Sequence, residues 1–220
     1  MTARTPFLFV HWLEDPDDER EAASIADVLK GNANVQYEDV SSRVEFERVL
    51  LEWSTDNGAA QYVFLGCHGD KEGIGDFTNT GMNWPELGDL FAGLPTLISL
   101  WLFACESAHA AAGWSGRVTE PVRWLVGFKK KHDPSEFAPI LEKLVELNGP
   151  DKFHFIDREI ALVKQASGSV PVELYYPVVN EDGVVDYVEV EEFSNRTGMS
   201  FRDYLVKQNE EASEKNREPV

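Results

Sequence analysis

The sequence predicts an α/β fold, a three-layer sandwich with a mostly parallel central sheet. Two observations lead to this class. Short apolar segments of strand length alternate along the chain with segments whose apolar residues recur at helical spacing. Helical connections between buried strands favour parallel pairing, with helices on both faces of the sheet. With 220 residues, of which 43% are hydrophobic, the chain can bury one substantial core.

The first third of the chain predicts three strands and two helices. The strands are predicted at residues 7–13, 35–40 and 62–65, and the helices at residues 17–30 and from residue 42 to about residue 56. Gly31 ends the first helix, as glycine commonly does. The second helix starts with a capping-box pattern from Ser42 to Glu45 and carries an apolar stripe that ends at Trp53.

The rest of the chain repeats this alternation and then changes character. Residues 71–83 predict a surface loop or small hairpin; strands are predicted at 96–103 and 122–128, and helices at 84–94, 107–112, 133–148 and 151–166. The segments VELYYPVV and VVDYVEVEEF predict a β-hairpin around Gly183, before an amphipathic stretch and a charged tail. Residues 1–170 should therefore form the α/β domain, to which residues 171–220 append a β-hairpin and a helical tail.

The charge of the chain limits its partners. Twenty basic residues stand against 39 acidic ones, a formal net charge of −19. Nucleic acids and anionic membranes both require a basic face, so neither is expected as a direct partner. A protein or peptide substrate, a basic protein and a regulatory protein remain open. No apolar run reaches the length of a membrane span and the N-terminus predicts a strand, so a cytoplasmic location is expected.

The residues that could carry chemistry follow the third and fourth predicted strands. The third ends in Cys67-His68-Gly69-Asp70, and the fourth ends in Ala104-Cys105-Glu106-Ser107. Functional groups of such sheets collect beyond the carboxyl ends of the strands. If the two strands are neighbours, His68 and Cys105 emerge at one edge and can act as an acyl-transfer pair. Cys105 would also open a helix, whose N-terminus favours the thiolate.

Gly69 fits the same reaction. A tetrahedral oxyanion needs backbone N–H donors that approach closely, each contributing about 3–4 kcal/mol in the transition state. Without a Cβ atom, Gly69 can present its N–H beside His68, and the Cys105 N–H is a plausible second donor. Cys67 should point to the opposite face of its strand and is interpreted as a core cysteine.

The order of an HG block after the third strand and ACES after the fourth resembles the caspase-like cysteine peptidases of clan CD. LWLFACESA is most similar to the cysteine block of legumain and the bacterial CHAT domains, and VRWLVGFKKKHDPSEFAPILEKL resembles the fifth strand and the helix after it. The resemblance covers residues 5–150. It implies a thiol protease with Cys105 as nucleophile, His68 as acid and base, and Gly69 as oxyanion donor. Many small proteins of this kind serve in cell death or in defence, including antiviral defence.

The sequence departs from the family in the residues that would select a substrate. Metacaspases and legumain carry an acidic residue two positions before the cysteine, whereas this chain has Phe103 there. An apolar residue before the scissile bond is therefore possible, with Phe103, Asp70 and Glu106 as candidate substrate contacts. Asp76 and Glu120 are further candidate acids. Residues 71–83 and 113–121 are expected to rearrange on activation by a partner or by cleavage.

Other interpretations stay open at this point. His68, Asp70 and Asp76 could bind a metal, although three such residues in a polar loop are a common coincidence. No GxGxxG or P-loop pattern is present, and no cofactor is expected. The chain could instead be a catalytically silent module that recruits a basic partner. Glu14 and Asp15 at the first strand end would also suit a flavodoxin-like receiver. His11, His109, His132 and His154 are interpreted as structural or solvated.

Overall fold

The computed structural model describes residues 7–12, 35–56, 61–75, 81–96, 98–131, 139–140, 143, 164, 167–168 and 170–215. The helix predicted at residues 17–30, most of those predicted between residues 133 and 166, and the acidic pair Glu14-Asp15 lie outside the described residues.

Nine strands are described. They are β1 (Phe7–Trp12), β2 (Val35–Val40), β3 (Gln61–Gly66), β4 (Gly73–Ile74), β5 (Met82–Asn83), β6 (Ile98–Phe103), β7 (Trp124–Phe128), β8 (Val172–Val179) and β9 (Val185–Glu189). Seven of them form one sheet in the order β2-β1-β3-β6-β7-β8-β9, and β4 and β5 pair as a small hairpin. The pairs from β2 to β7 are parallel, while β8 and β9 are antiparallel to their neighbours. The predicted α/β fold with a mostly parallel sheet is confirmed.

The C-terminal hairpin is part of the central sheet rather than an attachment to it. β8 pairs directly with β7, with Phe128 opposite Val172. The described helices are α1 (Arg43–Asp56), α2 (Trp84–Ala92), α3 (His109–Trp114), α4 (Phe193–Thr197) and α5 (Phe201–Lys215). In the part of the chain described, no helix is both long enough and apolar enough to cross a membrane.

Helices α1 and α2 begin where their capping residues predict. The Ser42 hydroxyl accepts the Glu45 N–H at 3.3 Å, and the Glu45 carboxylate accepts the Ser41 N–H at 2.9 Å. At α2, the Asn83 side chain and Glu86 cap each other's backbone N–H groups. These reciprocal bonds satisfy donors that a helix start leaves open.

The two faces of the sheet are packed differently. On the first face, α1, α2 and α3 cover a core of aliphatic and tryptophan side chains that includes Leu65, Leu102 and Trp114. The opposite face is an aromatic layer: Phe7, Phe9, Tyr62, Phe64, Trp101, Phe103, Trp124 and Phe128. Ile140, a helical residue, packs on this aromatic face. The alternation of the two sets along each strand follows from the two-residue period of β-structure.

Candidate active site

The proposed nucleophile and base follow two strands that lie side by side. β3 and β6 pair in parallel with their last residues, Gly66 and Phe103, opposite each other. The Cys67 N–H donates to the Phe103 carbonyl at 3.1 Å, one step beyond β3. His68 and Cys105 each lie two residues past the Gly66–Phe103 pair, so they leave the sheet at the same edge. The prediction that these strands are neighbours is confirmed.

Gly69 packs directly on the backbone around Cys105. A Cβ atom at Gly69 would lie 2.9 Å from the Cys105 carbonyl oxygen and 2.9 Å from the Ala104 Cβ, distances too short for real contacts. The segment after His68 therefore touches the segment that carries Cys105. A side chain at position 69 would push the two apart.

The N–H of Gly69 points away from the hairpin beside it. Gly69 forms an isolated antiparallel bridge with Ile74. The two hydrogen bonds of the bridge use the Asp70 N–H and the His68 carbonyl, each at 3.0 Å. In such a pair the central residues turn their own N–H and C=O groups outward. The Gly69 N–H donates neither of these bonds and faces away from the hairpin.

Cys105 opens a tight turn of four residues, 105–108. The Glu106 N–H donates to the Lys130 carbonyl at 3.2 Å. Glu106 has a φ of 55°, and no other non-glycine residue in the described chain has a positive φ. Left-handed backbone costs such a residue about 1–2 kcal/mol and persists only where its surroundings hold it. The residue after the proposed nucleophile is thus held in a strained conformation.

Ser107 supplies much of that hold. Its fully buried hydroxyl donates to the Leu102 carbonyl of β6 at 2.9 Å and accepts the Phe128 N–H of β7 at 3.0 Å. The Ala108 N–H donates to the Phe128 carbonyl at 3.1 Å. Gly127 permits this close approach, because a Cβ atom there would lie 2.9 Å from the Ala108 nitrogen. The turn is therefore fastened to both strands that flank it.

Trp84 fixes the loop on the other side of Gly69. Its indole N–H donates to the Lys71 carbonyl at 3.0 Å, and its backbone N–H donates to the Glu72 carbonyl at 3.1 Å. The Trp114 indole N–H in turn donates to the Trp84 carbonyl at 2.6 Å. Sequence reasoning identified Trp84 only as a helix start and did not consider Gly127 or the role of Ser107. A glycine inside an apolar strand was a usable signal for Gly127; the sequence carries no signal for the contacts of Trp84.

Two predictions about this edge are wrong. The helix after Cys105 begins at His109 rather than at Ser107, and it has six residues. The first backbone N–H groups of this helix come after the turn of residues 105–108, so they do not lie at the Cys105 thiol. Phe103 is 1% exposed and stacks within the aromatic face. It is a core residue and offers a substrate no surface.

Of the acidic residues predicted as substrate contacts, Asp70 has a structural role and Glu106 lies near Cys105. The Asp70 carboxylate accepts the N–H groups of Glu72 and Gly73, so it closes the turn that follows Gly69. Glu106 is half-buried in the Cys105 turn and remains near the proposed nucleophile.

Glu120 lies at the other end of the sheet. It belongs to the connection that leads from α3 to the start of β7. In that connection the Arg123 N–H donates to the carbonyl of Ile98, the first residue of β6, whereas Cys105 follows the last residue of β6. Glu120 is therefore not a substrate contact of this site. Asp76 lies outside the described residues.

The remaining cysteine and histidines occupy supporting positions. Cys67 packs against the core of the first face, as predicted, but it is half-buried rather than fully buried. His11 is buried in β1, and His109 is exposed on α3. His132 and His154 lie outside the described residues.

The two segments expected to rearrange have defined contacts in this structure. The first contains the hairpin of β4 and β5, although residues 76–80 lie outside the described part. In the second, the Arg117 guanidinium bonds Asp89 and the Pro85 carbonyl of α2, and its backbone bridges Val185 of β9.

A groove of about 880 Å³ starts beside the Cys105 turn and runs between α3 and the outer strands β8 and β9. We call it the α3 groove. Ala108 and Lys129 line the groove near the turn, whereas Ser115 and Asn180 line it near the opposite edge of the sheet. The α3 groove adjoins this turn and gives an extended ligand room along α3.

A charged cluster lies at the end of the α3 groove nearest the turn. The Lys129 ammonium contacts the Glu173 carboxylate and lies 3.5 Å from that of Glu189. Tyr175 donates its O–H to Glu173, which is 7% exposed. Burial, together with the nearby carboxylates of Glu189 and Glu192, raises the pKa of Tyr175, because both disfavour a phenolate. Tyr175 is therefore a hydrogen-bond donor at neutral pH.

Among the described residues, no three histidine, cysteine, aspartate or glutamate side chains come together as metal ligands. The chain matches no protein-family model, and no curated protein is significantly similar to it. The arrangement of residues in this structure is accordingly the basis for assigning a function.

Proposed function

We propose that the protein is a cysteine endopeptidase of caspase-like type, with Cys105 as nucleophile and His68 as acid and base. The carrying observation is that β3 and β6 are neighbours in register, so that both residues leave one edge of the sheet. The packing of Gly69 on the Cys105 carbonyl adds independent support. The order of HG and ACES after the third and fourth strands of the central sheet supports the caspase-like assignment.

In the proposed reaction, the Cys105 thiolate attacks the scissile carbonyl carbon, and the π electrons of the C=O bond move to the carbonyl oxygen. The N–H groups of Gly69 and Cys105 stabilise that oxyanion. The protonated imidazole of His68 gives its proton to the leaving amine as the C–N bond breaks, which leaves a thioester. His68 then takes a proton from water as the water attacks the thioester; the C–S bond breaks, which releases the acid product and restores the Cys105 thiolate beside the protonated imidazole.

Thiol labelling tests this assignment without knowledge of the substrate. At pH 6.5 we expect iodoacetamide to label Cys105 about tenfold faster than Cys67 in a peptide map of the folded protein, because only the thiolate reacts. His68→Gln should slow labelling of Cys105, and Cys67→Ala should leave it unchanged. Equal labelling in wild type and His68→Gln would contradict an activated pair.

A peptide-library cleavage profile then defines the activity. Wild type should cleave a subset of peptides that Cys105→Ala leaves intact, and the profile gives the preferred residue before the scissile bond. The family resemblance suggests a regulated effector in cell death or defence, so the same profile should be repeated with binding partners from the same cell.

The second candidate is a silent module that recruits a basic protein. The formal charge of −19 and the carboxylates of the α3 groove favour this alternative. It predicts that Cys105 labels no faster than Cys67 while partner binding persists in Cys105→Ala.

A further inference from the structure

Strand β9 forms the outer edge of the described sheet. The Val190 N–H donates to the Leu174 carbonyl of β8 at 2.9 Å, which fixes the alternation of the hydrogen bonds between the two strands. Residues on even positions of β9 direct their backbone groups to β8. The odd residues Val185, Tyr187 and Glu189 direct theirs outward.

The first half of this outer edge is already occupied. The Val185 N–H donates to the Arg117 carbonyl at 2.6 Å, and the Tyr187 N–H donates to the Ser115 hydroxyl at 3.0 Å. The second half differs: the Tyr187 carbonyl and the Glu189 N–H face outward and have no hydrogen-bond partner among the described residues. One residue of an added parallel strand can bond both groups, because they flank a single position of β9.

The open half of the edge lies in the α3 groove. Tyr187, Val188 and Glu189 all line that groove, opposite the exposed Ala112 on α3. The volume of about 880 Å³ lies within the usual range of ligand sites, roughly 300–1,000 Å³. An extended peptide therefore has both a backbone edge to pair with and space for its side chains.

The groove also indicates the charge of the occupant. The Lys129 ammonium is paired with the Glu173 carboxylate and also lies 3.5 Å from that of Glu189. The other charged side chains of the lining are three carboxylates and one guanidinium: Asp186, Glu189, Glu192 and Arg196. The whole chain is strongly acidic, which adds a long-range attraction for cations. Lysine or arginine side chains suit this lining, and acidic ones do not.

We propose that the α3 groove binds an extended basic segment of a partner protein by adding it as a strand to β9. The Tyr187 carbonyl and the Glu189 N–H pair with its backbone, and the groove carboxylates pair with its lysine or arginine side chains. The acidic C-terminal tail NEEASEKNREPV and a second copy of this acidic chain are disfavoured as occupants by charge repulsion. The site does not require an active Cys105, so it can be tested in Cys105→Ala.

Fluorescence anisotropy with a labelled peptide of alternating lysine and valine tests the site in the full chain carrying Cys105→Ala. Saturable binding is expected, and a matched glutamate–valine peptide should not bind. Glu192→Arg should weaken binding about tenfold, since it replaces an attraction by a repulsion of similar size. Ala112→Trp should weaken it by filling the groove. Glu52→Arg, an equal charge change at an exposed side chain of α1, serves as the control.

N-methylation of alternate peptide residues separates strand addition from simple charge attraction. Methylating one set of alternate amides should abolish binding, while methylating the other set should leave it nearly unchanged, because only one set faces β9. Equal binding of the two methylated peptides, or equal affinity for wild type and Glu192→Arg, would overturn the proposal. So would a dimer in sedimentation that buries the groove, since a second copy would then be its occupant.

Discussion

Replacing Gly69 by alanine should separate the two segments that carry His68 and Cys105. The new Cβ atom would lie 2.9 Å from both the Cys105 carbonyl oxygen and the Ala104 Cβ, whereas ordinary contacts begin at 3.4 Å. The backbones must therefore move apart by about 0.5 Å. Neither neighbour can rotate away, because one is a backbone oxygen and the other is the fully buried Ala104. Overpacking of this kind destabilises proteins by about 1–3 kcal/mol.

Urea unfolding followed by tryptophan fluorescence measures this cost. Gly93→Ala is the matched control: its Cβ would lie 3.4 Å from two carbonyls, and its φ of −81° suits alanine. The control should be neutral or more stable by about 0.4–1 kcal/mol, through a less flexible unfolded chain. In Gly69→Ala we also expect slower labelling of Cys105, because the shift moves the segment that carries His68 away from Cys105. Equal stability of Gly69→Ala and wild type would refute the close contact.

Two further changes test the edge and the opposite end of the sheet. Ser107→Ala removes the buried hydroxyl that joins Leu102 to Phe128, and it should lower the free energy of unfolding by about 1–3 kcal/mol in urea; a change below about 0.5 kcal/mol would contradict this role. Burial raises the pKa of Glu120 above its ordinary value of 4.5, so its ionisation opposes folding as the pH rises through that raised pKa. Glu120→Gln should therefore unfold at higher urea than wild type at pH 7, and the difference should vanish below pH 4; a difference that is the same at both pH values would exclude this cause.

Many of the strands and helices could be predicted from the local pattern of apolar, polar and turn residues. β1, β2, β3, β6 and β7 lie within a few residues of the predicted strands, because a buried parallel strand is a short apolar run bounded by polar or turn residues. The starts of α1 and α2 could also be predicted from the sequence, since their caps are made by residues close in sequence. The start of α3 was missed, because Ser107 is held in a turn by Leu102 and Phe128 rather than by its neighbours.

The candidate site was predictable only in part. His68 and Cys105 could be chosen from their positions after predicted strands, and Gly69 from its lack of a side chain. Phe103 was misassigned because it was chosen by its place two residues before the cysteine, as in the family motif, whereas every residue of β6 is buried in this structure. The contacts of Trp84 and the close approach of Gly127 join residues far apart in the chain, so no local signal predicts them.

The sequence by itself determined the class of fold, the succession of most strands and helices along the chain and the two residues proposed for chemistry. It could do so because hydrophobic periodicity and turn residues act over a few neighbouring positions. Only the tertiary structure decided that β3 and β6 end in register and that Gly69 rests on the Cys105 backbone. It also decided that half of the outer edge of β9 has no hydrogen-bond partner among the described residues. Those features depend on how distant segments pack and which backbone groups remain after pairing, and packing is decided by the folded chain as a whole.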